Sequence, residues 1–450
     1  MLSFDDFKIS NLLRNAIADL GFTTPRPIQA KSFAVILSGK DMVGIAQTGT
    51  GKTFAYMLPI LQMLPFSKEK HPRVLVLVPT RELVVQVVDE IEKFGKYSSI
   101  KVIGVYGGTN MNRQKEALAQ GSDIIVATPG RLYDLMLSRA LRVKTIKKLV
   151  IDEVDVMLDL GFRFQLTNIM DLLPERRQNI MFSATMTSDV DKLINDYFIT
   201  PSKVTVALSG TPLDNISQSC YPIPNFYTKV NFLIDLLEDN VLYNKVLVFV
   251  SNKKSADRLF EALDEFYGSE TCIIHSNKTQ NYRLRSIKQF DEGKNRILVT
   301  TDVMARGLDL DKISHVINFD TPSYPENYMH RIGRTGRAEE KGTAILLYTE
   351  NEKKDKEAIE TLMKIKIAEN KLPEHIEVAE RLTPAETPKI IEADNPIKRQ
   401  EELAGPGFHE KKEKNKRVNQ GGSYKRIIEK KYKKAKTKGD KNYNKRNKRK

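Results

Sequence analysis

Short apolar runs rich in β-branched residues recur along the chain, and each is followed by a stretch in which apolar residues return at helical spacing. In the first half these runs are Met42–Ala46, Val74–Val78, Val102–Tyr106, Ile124–Ala127, Lys148–Ile151 and Ile180–Phe182. In the second half they are Val246–Val250, Thr271–Ile274, Ile297–Val299, His315–Phe319 and Thr343–Leu347. Runs this short, apolar throughout and alternating with helices, read as strands buried on both faces of a parallel sheet. Two such series predict an α/β protein with two sheet domains, over residues 1–208 and 216–370. Gly, Pro and turn residues between Ala207 and Asn215 mark a linker, taken as 209–215. In sheets of this kind ligands bind beyond the carboxyl ends of the strands. No internal repeat is visible at a period of about 20–50 residues.

Past about Asn370 the apolar periodicity fades, and from Lys411 onward the chain is Lys, Asn, Gly and Tyr with few aliphatics. Such a segment cannot bury enough apolar area to offset its ordering entropy, so 371–450 is expected to be a mostly disordered tail. Charge separates the tail from the rest. Residues 381–450 hold 23 Lys/Arg against 9 Asp/Glu, whereas the first 380 hold 49 against 48. The folded part is nearly neutral and the tail carries a net +14. Lys411–Lys450 alone has 19 Lys/Arg and three acids, interleaved with Tyr424, Tyr432 and Tyr443. Lys-rich charge with interspersed aromatics suits single-stranded nucleic acid, because ammonium groups meet phosphate and rings stack on bases. A merely solubilising tail is the alternative.

Composition removes other classes. Hydrophobic residues make up 40% of the chain, enough to fill real cores. No apolar run approaches the roughly 18 residues of a membrane span. The start, MLSFDDFKIS, lacks the pattern of a signal peptide. Two cysteines, Cys220 and Cys272, form neither a disulfide framework nor a metal cluster, as expected for a reducing cytoplasm.

The chemistry starts at Ala46-Gln-Thr-Gly-Thr-Gly-Lys-Thr53, between a predicted strand and a predicted helix. It is close to a P-loop, with Ala46 in place of the first Gly. Gly49 and Gly51 let backbone amides turn toward phosphate oxygens, with Thr48 and Thr50 between and before them. Lys52 supplies a cation for the β/γ-phosphates, and Thr53 a hydroxyl near Mg²⁺. Such a site needs a carboxylate for the metal and a group to orient water. Asp152 and Glu153 supply both at the end of the apolar strand Lys148–Ile151: Asp152 for Mg²⁺, through water, and Glu153 for the attacking water. His330-Arg-Ile-Gly-Arg-Thr-Gly-Arg337 lies in the second unit. Arg334 and Arg337, three apart, can project from one side of a helical turn, and arginine fingers are worth about 10³–10⁵ in rate. ATP and Mg²⁺ are therefore the expected cofactors.

With these motifs in this order, residues 1 to about 370 resemble the DEAD-box RNA helicases of superfamily 2. The resemblance implies two tandem RecA-like domains and RNA-stimulated ATP hydrolysis. Gly21-Phe22-Thr-Thr-Pro-Arg-Pro-Ile-Gln29, with Phe4 upstream, is similar to the family's adenine-reading motif. It implies that Gln29 bonds the adenine edge, as a planar amide can, while Phe22 stacks nearby. Pro79-Thr80-Arg81-Glu-Leu83, Gly107-Gly108 and Thr128-Pro129-Gly130-Arg131 resemble the first domain's RNA-backbone motifs. Ser183-Ala-Thr185 resembles the element that couples hydrolysis to unwinding through hydroxyls bonded to Asp155, and His330 is placed with that coupling set. In the second domain Val248–Ser251, Gln280–Arg283 and Thr300–Asp309 resemble the remaining motifs. They imply RNA contacts at Ser251, Arg283 and Thr301, and a contact to the ATP ribose at Asp309.

The chain departs from the family pattern at three places. The fingerprint reads Asp152-Glu-Val-Asp155, with Val154 for Ala; Met304 stands for Ala; and His275-Ser-Asn replaces His-Gly. None removes a catalytic group. The extra methyls of Val154, at a position expected to be buried, could cost about 1–3 kcal/mol unless neighbours shrink. The expected partners are single-stranded and duplex RNA, with ribosomal or messenger complexes among them, and the expected state is a monomer away from membranes. Three activities use these residues: a helicase on short duplexes or RNA–protein complexes, an ATP-gated RNA clamp, and a DNA translocase.

Overall fold

Two parallel sheets organise the computed structural model, which describes residues 3–46, 49–67, 69–206, 215–305, 310, 312–336 and 341–387, apart from the side chains at 303 and 305. The first sheet is built from β1 (Met42–Ile45), β2 (Val74–Leu77), β3 (Val102–Val105), β4 (Ile124–Ala127), β5 (Lys148–Ile151), β6 (Gln178–Ser183) and β7 (Ser202–Thr205), in the order β3-β4-β2-β5-β6-β1-β7. The second comprises β8 (Ile216–Pro222), β9 (Val246–Val250), β10 (Thr271–Ile274), β11 (Ile297–Thr301), β12 (His315–Asn318), β13 (Gly342–Tyr348) and β14 (Ala368–Glu369), in the order β10-β11-β9-β12-β13-β8-β14.

Alternation across the pleat explains the unbroken apolar runs. Val74 and Val76 face one core while Leu75 and Leu77 face the core on the other side. In the second sheet Val246, Val248 and Val250 face one core, and Leu247 and Phe249 face the other. A strand covered by helices on both faces has no polar side to alternate with. Val154 lies fully buried in the first lobe's second core, beside Ile151, Met157 and Met181 among others.

The eleven strands legible in the sequence are all present, several with shifted ends. β7, β8 and β14 were not legible, and each has a reason. β7 (Ser-Lys-Val-Thr) is an edge strand with one buried residue. β8 mixes polar and apolar positions and ends on Pro222, and β14 is two exposed residues at an edge.

The sheet order sets up the site. β5, β6 and β1 are neighbours, so the turns after them lie side by side. Those turns carry Asp152-Glu153, Ser183–Thr185 and the glycine-rich loop. One boundary needs correction: the ordered chain does not stop near 370. Residues 371–387 continue against the second lobe, with Ile376 buried, Asn225 Nδ2 donating to the Ala379 carbonyl at 2.6 Å and the Phe226 N–H donating to Glu386 Oε1 at 2.7 Å. The Arg381 guanidinium stacks over the Tyr227 ring at 4.5 Å. This stretch binds mainly through backbone groups and caps, which leave no apolar period to read. The linker residues 207–214 and the tail from 388 lie outside the described residues. Among those described, no helix is long and apolar enough to cross a membrane.

Candidate ATP and RNA site

The glycine-rich loop ends in a left-handed residue, Gly51 (φ 79°), which hands over to the helix Lys52–Gln62. Gly49 is left-handed as well (φ 76°). Only glycine takes these angles without strain, so the amides at this helix start can face inward as an anion site. Lys52 is the first helical residue, and its side chain is buried with Nζ 3.9 Å from Asp152 Oδ1. That ammonium has no hydrogen-bond partner among the described residues. Thr53 follows it, half-buried. Thr48 lies outside the described residues, and Thr50 is half-buried in the loop.

Gln29 packs onto the same loop. Its Oε1 accepts the Arg26 N–H at 2.8 Å and its Nε2 donates to the Gly51 carbonyl at 3.3 Å. One lone pair and one N–H of the amide remain for another planar partner. Phe22 is half-exposed beside it, edge-on to Phe54 at 5.4 Å, and Phe4 meets the same ring at 5.5 Å. Arg26, not singled out from the sequence, donates to the Gly49 carbonyl at 2.6 Å.

Asp152, Glu153 and Asp155 are all nearly fully buried. Burial pushes the Asp152 carboxyl up, with Lys52 opposing it. Burial pushes Glu153 up too, against the charges of Lys52 and Arg334. Asp155 goes the other way: burial would raise it, but His330, Lys52 and the donors of Thr185 outweigh burial and hold it low. Those donors are explicit. Asp155 Oδ2 accepts the Ala184 N–H at 3.1 Å, the Thr185 N–H at 2.9 Å and the Thr185 hydroxyl at 3.0 Å. Ser183 corrects an expectation, since its hydroxyl donates to the Thr185 carbonyl at 2.6 Å instead of to Asp155. It shapes the turn that presents the other donors.

Glu153 has a left-handed backbone (φ 53°), held as Asp152 Oδ1 accepts its N–H at 2.9 Å. A non-glycine residue there stores about 1–3 kcal/mol, a cost that clusters at functional sites. Glu153 Oε2 and Asp155 Oδ1 join Lys52 Nζ as buried atoms with no hydrogen-bond partner among the described residues. Buried charged atoms without hydrogen bonds are expensive, so this concentration of them fits a phosphate anion carrying a cation. Thr53 and Asp152 are the groups that could hold Mg²⁺, which binds through one or two carboxylates plus phosphates and water.

The second lobe reaches this site. His330 Nε2 lies 3.9 Å from Asp155 Oδ2, and Arg334 is buried close enough to act on Glu153. Arg334 does not sit on a helical turn, as its spacing from Arg337 suggested. The helix Pro325–Ile332 ends before it, Gly333 caps that end, and Gly336 is left-handed (φ 63°). Arg337 and Asp309 lie outside the described residues.

The first lobe's RNA motifs converge. Thr80 caps the helix Arg81–Phe94, accepting the Leu83 N–H at 3.3 Å, directly after Pro79. The Arg81 side chain lies on Gly107 and Gly108, and a methyl group on left-handed Gly108 would strike its guanidinium. Arg131 donates to the Thr109 carbonyl at 3.1 Å, bringing the helix start at Thr128-Pro129-Gly130 to the same place. In the second lobe Thr301 ends β11 and Ser251 follows neighbouring β9, its N–H on Asp320 at 2.8 Å. Arg283, expected on RNA, instead faces the first lobe, 3.0 Å from Glu82 Oε1, while its Nη1 donates to Met304 Sδ at 3.0 Å. Gln280 Nε2 also donates to Glu82, at 3.1 Å. Glu82 was overlooked inside Pro-Thr-Arg-Glu-Leu because a lone acid in a first helical turn reads as a dipole partner.

Residues 26–193 match the DEAD/DEAH box helicase model, and residues 228–339 match the helicase conserved C-terminal domain. The chain is 37% identical over 399 residues to the DEAD-box ATP-dependent RNA helicase CshA of Bacillus licheniformis, covering 88% of this chain and 81% of that protein. It is 40% identical over 358 residues to the ATP-dependent RNA helicase DBP2 of Candida albicans, covering 78% of this chain and 64% of that longer protein. Among solved structures, S. cerevisiae Dbp5 bound to RNA and ADP BeF3 superposes with a TM-score of 0.75 at 29% identity, over 82% of this chain and 96% of that one. On two matched domains, most of its length and a shared pair of RecA-like sheets, the chain belongs to the DEAD-box ATP-dependent RNA helicases.

Proposed function

We propose that this chain hydrolyses ATP in response to RNA and uses the cycle to separate short duplexes or remodel RNA–protein complexes, acting as a cytoplasmic monomer. The observation that carries the proposal is the composite site. Lys52, Glu153 and Asp155 bring buried charged atoms without hydrogen-bond partners among the described residues from one lobe, while Arg334 and His330 reach them from the other.

Lys52 and the amides at the start of its helix bind the β- and γ-phosphates. Gln29 reads the adenine edge with its remaining lone pair and N–H, and Phe22 covers the base. Thr53 and Asp152 would hold Mg²⁺, which would supply charge neutralisation at the phosphates. Glu153 orients the attacking water and takes its proton. Arg334, with Arg337, neutralises charge developing on the γ-phosphoryl group, so hydrolysis requires the lobes to be together. His330 and Thr185 meet at Asp155, which makes that carboxylate the register between the lobes.

Arg81, Gly107, Gly108, Thr128 and Arg131 form the first lobe's backbone-binding track, continued by Ser251 and Thr301. Arg283 joins it by way of Glu82, a contact that forms only when the lobes meet. Closure then bends one strand and expels its partner, and hydrolysis releases the strand retained. The basic tail tethers the core to structured RNA. Glu153→Gln tests the proposal: it should bind ATP and RNA together and hydrolyse at least about 10²-fold more slowly. Normal turnover by this variant would remove Glu153 from the mechanism.

A further inference from the structure

Tyr56 sits one turn along the helix Lys52–Gln62 from the phosphate loop, three residues after Thr53 and four after Lys52, so all three share a face. Its ring is fully buried and packs against Phe182 of β6, with centroids 5.6 Å apart. Gly44 of β1 makes that seat possible, because a Cβ there would lie 2.5 Å from the Phe182 ring. The seat delivers the phenol to the polar end of the core. Its hydroxyl interacts with both Asp152 and Thr53, yet meets hydrogen-bond geometry with neither and has no other partner among the described residues.

A buried hydroxyl without a partner is costly, and a phenylalanine would fill the same apolar seat at no such cost. The phenol is a neutral donor at ordinary pH, and the buried Asp152 carboxylate it reaches accepts one N–H, that of Glu153, at 2.9 Å.

We propose that Tyr56 is a positioning residue for the metal-binding carboxylate: when nucleotide enters, its hydroxyl donates to Asp152 and fixes that carboxylate beside Thr53. The inference rests on the assignment of Asp152 and Thr53 to Mg²⁺ above. It also gives this helix two tasks, phosphate binding at its first residue and carboxylate alignment one turn later.

Tyr56→Phe deletes only the oxygen. The test measures binding of a fluorescent ATP analogue to the full chain and to Y56F, with Mg²⁺ and with EDTA, together with the melting temperature of each protein without ligand. Y56F should bind the analogue roughly tenfold more weakly in Mg²⁺ and equally well in EDTA, the size expected of one hydrogen bond to a charged group. In an Asp152→Asn background the Y56F effect should shrink to nothing, because the acceptor charge is gone. Unchanged affinity in Mg²⁺ with a raised melting temperature would overturn the proposal and make the hydroxyl a plain unsatisfied core group. Equal weakening in both media would also overturn it, pointing to a disturbed helix. If the unmutated chain binds the analogue no better with Mg²⁺ than with EDTA, the metal assignment itself fails and the proposal with it.

Discussion

The two lobes share an architecture but differ in how they treat their most buried charges. In the first lobe an ammonium and two carboxylate oxygens, on Lys52, Glu153 and Asp155, are buried at one spot without hydrogen-bond partners. In the second lobe the most buried cations are saturated. Arg331 binds Asp302 through two nitrogens at 2.5 and 2.8 Å, reaches the Asp320 carbonyl at 2.7 Å and lies over the Phe249 ring. Lys229 donates to Glu352 at 2.7 Å and to the Phe319 carbonyl at 2.8 Å. Breaking a buried pair costs more than its formation gains, so saturated charges fix a shape. Unsaturated ones await a ligand. The first lobe is thus built to bind, and the second to present Arg334 and His330 from a rigid frame.

That contrast can be broken at either end. Lys52→Ala should have the largest effect, on function: nucleotide binding and RNA-stimulated hydrolysis should fall by about 10²–10³-fold, as for loss of one electrostatic contact to a transition state. Its unfolding free energy should fall by less than that of Arg331→Leu, since the ammonium makes no hydrogen bond among the described residues and its ion partner Asp152 lies 3.9 Å away. Phosphate release and urea unfolding followed by circular dichroism measure the two. Arg331→Leu should do the reverse. It strands Asp302 and should destabilise the second lobe by about 3–5 kcal/mol, splitting the urea transition in two while the first lobe's midpoint stays put. A single unshifted transition would erase the distinction between the lobes. Glu386→Ala should have the smallest effect, about 1 kcal/mol in the same unfolding measurement. It removes the acceptor for the Phe226 N–H at a helix start and for Thr383, whose N–H and hydroxyl both lie 2.8 Å from Glu386 Oε2.

What was legible in the sequence follows the same physics. Buried strands such as Val74–Leu77 and Val246–Val250 announce themselves because both faces are apolar. Edge strands such as Ser202–Thr205 have little to bury and were invisible. The phosphate loop and the Asp152-Glu153 pair were readable because their chemistry fixes residue type and spacing together. The contact between Glu82 and Arg283, the hydroxyl of Tyr56 and the stretch 371–387 were not. Each depends on which distant segments meet, and no local pattern encodes that. Ser183 shows a further limit, since the composition of the turn was clear while the direction of its hydroxyl was set by the turn's own backbone.

The central claim is that RNA completes a site divided between the lobes. Its most direct test is steady-state ATP hydrolysis by the full chain with no nucleic acid, with RNA, and with DNA of the same sequence. Strong stimulation by RNA alone, lost in Arg334→Ala, is the predicted result. Equal rates in all three conditions would show that the site is complete without RNA and contradict the account, and equal stimulation by DNA would make the chain a translocase that does not distinguish the two sugars.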